Sequence, residues 1–311
     1  MIELKNATKR YGDTTAVEDL SFTVKPGIVT GFLGPNGAGK STSMRMIVGL
    51  DDPTSGEATV NGHHYRSFKA PLHEVGAMLE ARSVHTGRPA YQHLLALAQT
   101  HGLPSSRVNE VIDQVGLTDV AHRRAGGFSL GMGQRLGIAA ALLGDPDTVI
   151  LDEPTNGLDP DGIRWIRELL KDLARQGRTV FLSSHLMSEL SQTVEHVIVI
   201  GRGRLIADTS ITDLVERASA GAAVTVRTPD AEELRHVLSG PGRWIDAAGH
   251  GLLQVQGIPA PEIFTIAAEN GIVLHELTPQ TATLEDAYMS LTSDAIEYTT
   301  PTSNHREEIA A

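Results

Sequence analysis

The stretch Gly34-Pro35-Asn36-Gly37-Ala38-Gly39-Lys40-Ser41-Thr42 has the residue types and spacing that hold a chain of phosphates. Gly34, Gly37 and Gly39 let successive backbone N–H groups close around phosphate oxygens, where a Cβ would obstruct. Lys40 brings a compact positive charge to the outer phosphates, and the Ser41 hydroxyl is suited to the shell of a Mg²⁺ ion. Further along, the apolar run Thr148-Val149-Ile150-Leu151 leads directly into Asp152 and Glu153. A carboxylate at the C-terminal end of a buried strand stands where an α/β sheet opens its ligand crevice. Asp152 is therefore expected to hold Mg²⁺ through water, and Glu153 to activate an attacking water. A third stretch, FSLGMGQRLGIAA (128–140), places Gly131 and Gly133 at the head of a helix-like run, where glycine is unfavourable without a reason. Two readings are open: Ser129 caps the helix, or N–H groups near Gly131 receive a phosphate at the helix start.

These groups need elements to position them. Residues 1–5 and 19–25 alternate like half-buried strands, and IVTGFL (28–33) is a short apolar strand running into the glycine loop and a helical pattern, STSMRMIVGL. From about 88 to 143 the pattern is mostly helical. TVILDEP (148–154) is apolar without alternation, which marks a strand buried on both faces. A helix at 161–176 and strands at 179–184 and 196–200 follow. Strands alternating with helices predict an α/β core with a parallel, doubly wound sheet. After about residue 218 the order reads β-α-β-β-α-β, the split, ferredoxin-like arrangement, with a last helix at 283–291. The polar, aperiodic segment 293–311 is expected to be a mobile tail.

With its motifs in this order, the chain from residue 1 to about 218 resembles the nucleotide-binding subunit of an ABC transporter. The resemblance implies a P-loop NTPase core with an antiparallel β subdomain and a helical insertion at about 80–143, followed by a small accessory α+β domain at 219–292. It also implies ATP and Mg²⁺ as ligands. Residues 34–42 then form the phosphate loop, 129–135 the signature turn, and 156–159 (NGLD) the D-loop with Asp159. His185, in LSSHLMSEL, matches the family's switch histidine at the γ-phosphate, and Tyr11 the aromatic residue that stacks on adenine. In the family the signature turn faces the nucleotide of the other subunit, so Ser129 and Gly131 would close the partner's site across an ATP sandwich of two copies.

Two departures stand out. Leu130 replaces a glycine of the commoner S-G-G-Q signature, a variant similar to the drug-exporting (daunorubicin- and tetronasin-type) subgroup that pairs with ABC-2 type permeases, fused or as two halves. Glu80 stands where most members place a glutamine; an ionised glutamate only accepts hydrogen bonds and adds negative charge. The expected activity is ATP hydrolysis that drives export of a small hydrophobic compound such as an antibiotic. The rival readings are an importer, a soluble ATPase acting on a ribosome or DNA, and a nucleotide-binding regulator that does not pump.

Bulk properties narrow the field. The 311 residues are 41% hydrophobic and 21% charged, with no cysteine, which excludes disulfides, thiolate metal sites and cysteine nucleophiles. A net charge of −12 argues against a protein that grips nucleic-acid backbone. No apolar run approaches the ~20 residues needed to span a bilayer, and the first residues lack the features of a signal peptide. The expected location is the cytoplasmic face of the cell membrane, through a separate permease. His63-His64 has no metal-site companions and reads as surface, and Asn6-Ala7-Thr8 reads as a chance sequon.

Overall fold

The alternation at the N-terminus becomes β1 (Ile2–Tyr11) and β2 (Thr14–Val24), an antiparallel pair joined by a tight turn at Gly12-Asp13. The structure is a computed structural model that describes residues 1–80, 84–184, 187–219, 223–280 and 282–292. The segment 293–311, expected as a tail, lies outside these residues. β3 (Val29–Leu33) is buried throughout and leads through the glycine loop into α1 (Lys40–Ile47). β4 (Ser55–Val60) returns to β1, giving the three-stranded antiparallel sheet β2-β1-β4. A short α2 (Pro71–Glu74) precedes β5 (Val75–Met78), and then come α3 (Ala90–Thr100), α4 (Ser105–Gln114) and α5 (Leu130–Leu142). The core continues with β6 (Thr148–Leu151), α6 (Pro160–Arg175), β7 (Thr179–Ser183), α7 (Met187–Leu190), β8 (His196–Gly201) and β9 (Arg204–Ser210).

These strands form a six-stranded sheet in the order β5-β6-β7-β3-β8-β9. Pairing is parallel between β5 and β6, β6 and β7, β7 and β3, and β3 and β8. β3, β6 and β7 are buried along their full length, as strands covered on both faces must be. The first sheet packs on this one through Phe22, Phe32 and Phe181, whose ring centroids lie 5.1–5.9 Å apart. Burying one such side chain contributes about 1.5–3 kcal/mol. β5 and β9 escape simple patterning. β5 is only four residues long, and β9 is a half-exposed edge reached by the turn Arg202-Gly203, both at positive φ.

Close backbone approach sets α5 against β5. A Cβ on Gly76 of β5 would collide with the Ala141 carbonyl, and one on Gly137 would lie 2.7 Å from Met78 Sδ. The helix that carries the signature turn is thereby fixed beside the strand end that leads to Glu80.

Among the described residues the chain divides into two compact units: residues up to 184 with 192–208 and Thr292, and residues from 209 to 291 with 187–191. The second contains α8 (Ile211–Ser219), β10 (Val224–Arg227), α9 (Ala231–Leu238), β11 (Trp244–Gly249), β12 (Leu252–Gln256), α10 (Ala260–Glu269), β13 (Glu276–Pro279) and most of α11 (Leu284–Thr292). Its antiparallel sheet runs β11-β12-β10-β13, the ferredoxin-like order for β-α-β-β-α-β. Val224, Val226, Leu253 and Val255 meet Leu234, Leu238, Ile263 and Ala267 in its core.

Candidate functional site

The phosphate loop is held from behind. Gly39 has φ +101°, and a Cβ there would lie 2.6 Å from the Ala16 carbonyl oxygen. Gly203 N–H donates to the Ala38 carbonyl at 3.0 Å, so the β8–β9 turn braces the loop on a second side. A Cβ at Gly34 would lie 2.6 Å from the Ile200 carbonyl oxygen at the end of β8. Between the loop and the end of β6 lies a cavity of about 310 Å³ lined by Pro35, Asn36, Gly37, Ala38, Gly39, Lys40, Ser41, Thr42, Asp152 and Glu153, with Ala16. Three segments far apart in sequence thus meet at one concave surface.

Inside it the Lys40 ammonium donates to the carbonyls of Gly34 (2.6 Å) and Pro35 (3.2 Å). Burial holds the lysine below its ordinary pKa of 10.5, opposed by the charges of Glu153 and Asp152. Ser41 Oγ donates to Asp152 Oδ2 at 3.0 Å, and the Ser183 hydroxyl donates to Asp152 Oδ1. The same Ser183 oxygen accepts from Glu153 N–H at 3.0 Å. The Asp152 N–H donates to the Met78 carbonyl at 2.8 Å, which sets the end of β5 beside the end of β6. Glu153 itself adopts φ +51°. Among the described non-glycine residues with positive φ, only Glu153 and Arg202 are neither Asn nor Asp. That conformation costs a glutamate on the order of 1 kcal/mol or more and persists only where neighbours enforce it.

Glu80, Tyr11, Ser129, Gly131 and Asp159 do not line this cavity. Glu80 lines an adjoining cavity of about 410 Å³ together with Leu130, Gln134, Asp152 and Glu153. Tyr11 is 46% exposed; its hydroxyl donates to Asp51 at 2.8 Å, beside the Thr42 side chain, and the Lys9 ammonium stands 5.0 Å from its ring. Burial and the bond to Asp51 raise the Tyr11 pKa. Ser129 Oγ accepts from Met132 N–H at 3.2 Å, so within one chain it caps α5. Asp159 caps α6 through Gly162 N–H at 2.8 Å. The phosphate-loop cavity is lined by neither Ser129 nor Gly131. His185 lies outside the described residues.

Two contributors were not picked out from sequence. Ser183 lies within the segment LSSHLMSEL and Gln134 within the signature 129–135, but neither was given a role: Ser183 accepts from Glu153 N–H, and Gln134 donates from Nε2 to the Glu153 carbonyl at 2.9 Å. Both act on residues that are distant along the chain, so local spacing carries no sign of them. For Gln134 the available hint is its place within the signature 129–135.

The family description "ABC transporter" matches residues 17–156, and a domain of unknown function matches residues 222–285. An uncharacterized ABC transporter ATP-binding protein of Bacillus subtilis, YhcH, is 36% identical over 96% of this chain and 97% of that protein. The chain belongs to the ATP-binding proteins of ABC transporters. As a member of this family it is an ATPase. The bacitracin transport ATP-binding protein BcrA of Bacillus licheniformis is 42% identical over 70% of this chain and 72% of that protein. Among solved structures, a dimeric ATP-binding cassette in a post-hydrolysis state with ADP and Pi superposes with a TM-score of 0.62, at 25% identity, over 68% of this chain and 98% of that one. No helix among the described residues is long and apolar enough to cross a membrane.

Proposed function

We propose that this ATPase energises export of an antibiotic or similar small hydrophobic compound through a separate ABC-2 type permease, fused or in two halves, at the cytoplasmic face of the membrane. The likeness to the bacitracin transport protein supports the cargo class. The linked group Ser41–Asp152–Ser183–Glu153 beside the phosphate loop carries the catalytic reading. Residues 1–218 serve as the cassette and 219–292 as an accessory domain.

In this reading Lys40 and the loop N–H groups hold the phosphates of ATP, and the Tyr11 ring stacks on adenine. Ser41 and Asp152 present two hard oxygen donors side by side, a set that fits Mg²⁺. Phosphate oxygens and water would complete such a shell. Bound Mg²⁺ would supply charge neutralisation at the phosphates. Glu153 accepts the proton of the water that attacks the γ-phosphorus; the bond to the bridging oxygen breaks, and its electron pair leaves with ADP. His185 steadies the γ-phosphate, and Glu80 senses the nucleotide state from the adjoining cavity. Ser129, Gly131 and Asp159 act across a dimer of two copies, where the N-terminus of α5 meets the partner's γ-phosphate.

Two experiments test this. Glu153→Gln is expected to bind ATP, hydrolyse little and accumulate as a dimer; ordinary turnover would overturn the assignment. Mixing Ser129→Arg with Lys40→Ala chains is expected to restore activity from one intact composite site. No rescue from two folded, pairing variants would remove the trans geometry.

A further inference from the structure

We infer that Gln134 is a positioning residue for Glu153, holding its backbone carbonyl while Ser183 holds its N–H. The inference rests on the reading of Glu153 as the base. Gln134 is 1% exposed, unusual for an uncharged polar side chain unless its amide is put to use. Its Nε2 donates to the Glu153 carbonyl at 2.9 Å, while its Oε1 has no hydrogen-bond partner. The amide orientation is fixed by chemistry, because turning it over would set two acceptor oxygens against each other.

The Glu153 peptide groups are gripped from two sides. The N–H donates to Ser183 Oγ at the end of β7, and the carbonyl accepts from Gln134 on α5. Asn156 N–H adds a 3.2 Å bond to the same carbonyl from the following turn. Together these contacts hold Glu153 at φ +51°, a conformation its own side chain disfavours. Gln134 also shares with Glu153, Asp152 and Glu80 the wall of the adjoining cavity. The helix matters as much as the bond. α5 begins at the Ser129 cap, so the turn offered to the partner's nucleotide and the amide that aims this chain's own carboxylate ride on one rigid element. Movement of the turn is thereby passed to Glu153 in the same chain.

The test compares Gln134→Met, which keeps the length and removes the donor, with Gln134→Glu. Turnover and ATP binding are measured on the full chain, with Glu153→Gln beside them. Gln134→Met is expected to lower kcat about tenfold while ATP affinity stays within about twofold. In Gln134→Glu the buried carboxyl titrates high, and its neutral form can donate to the Glu153 carbonyl. Its kcat relative to the unmodified chain is therefore expected to rise as pH falls. Unchanged turnover in Gln134→Met, loss of ATP binding along with turnover, or a pH-independent ratio for Gln134→Glu would each overturn the inference. Retained turnover in Glu153→Gln would instead remove the reading beneath it.

Discussion

Ser41 Oγ donates to Asp152 Oδ2 across 3.0 Å, tying the first turn of α1 to the end of β6. Both residues line the phosphate-loop cavity. Ser41→Ala and Asp152→Asn are each expected to raise the Mg²⁺ concentration for half-maximal turnover by about tenfold or more. Magnesium titration of ATP hydrolysis measures this directly, and an unchanged midpoint in both variants would exclude the pair as metal donors.

Lys40 gives a pH dependence with a defined sign. Burial lowers its pKa below 10.5 in the free protein, whereas bound phosphates favour the charged form and raise it. Binding ATP above the free pKa therefore takes up a proton, and affinity falls as pH rises through that value. The decline is expected to begin on the acid side of 10.5. Lys40→Arg stays charged over the whole accessible range, so its affinity, weaker throughout, should lack the alkaline fall. Equilibrium ATP binding from about pH 7 to about pH 10 separates the two profiles.

Gly39 and Gly12 form a matched pair of substitutions. Gly39 combines φ +101° with the Ala16 carbonyl 2.6 Å from any Cβ, whereas Gly12 has φ +57° and nothing within 4 Å. Gly39→Ala is expected to destabilise the chain by about 1–3 kcal/mol and to abolish ATP binding. Gly12→Ala is expected to cost about 1 kcal/mol and to leave binding intact. Denaturant unfolding and nucleotide titration on the two variants decide the matter; equal behaviour would show that space behind the loop is unimportant.

Tyr11 joins an exposed ring to a hydroxyl bonded to Asp51. If the ring serves the base, Tyr11→Phe keeps nucleotide affinity and Tyr11→Ala loses about tenfold, for GTP as much as for ATP, because stacking is indifferent to base edges. A loss in Tyr11→Phe equal to that in Tyr11→Ala would assign the role to the hydroxyl instead.

Much of the candidate site is legible in the sequence because its chemistry is local. The phosphate loop needs a strand before it and a helix after it, and β3 and α1 supply them at the expected places. The unalternating run at 148–151 likewise emerges as the buried β6, with Asp152 and Glu153 at its end. Legibility fails where the deciding contact is remote. β1 reaches Tyr11 rather than ending near residue 5, since pairing with β2 on one side and β4 on the other overrides its polar stretch. Gln134 and Ser183 look like incidental polar residues until the fold brings both to the Glu153 backbone. The Ser129 cap shows a further limit, because the same serine-glycine turn suits a helix cap and a phosphate site alike, and within one chain Ser129 caps α5.

Leu130 lies where a Cβ on residue 157 would have to sit, and Gly157 holds φ +75° beneath it. The bulk that Leu130 adds to this signature is accommodated because residue 157 carries no Cβ. The two positions are therefore sterically coupled: any side chain at residue 157 would collide with Leu130. A chimera that exchanges one segment with a relative and leaves the other behind imports either a hole or a collision, which restricts where recombination can cut between residues 130 and 157.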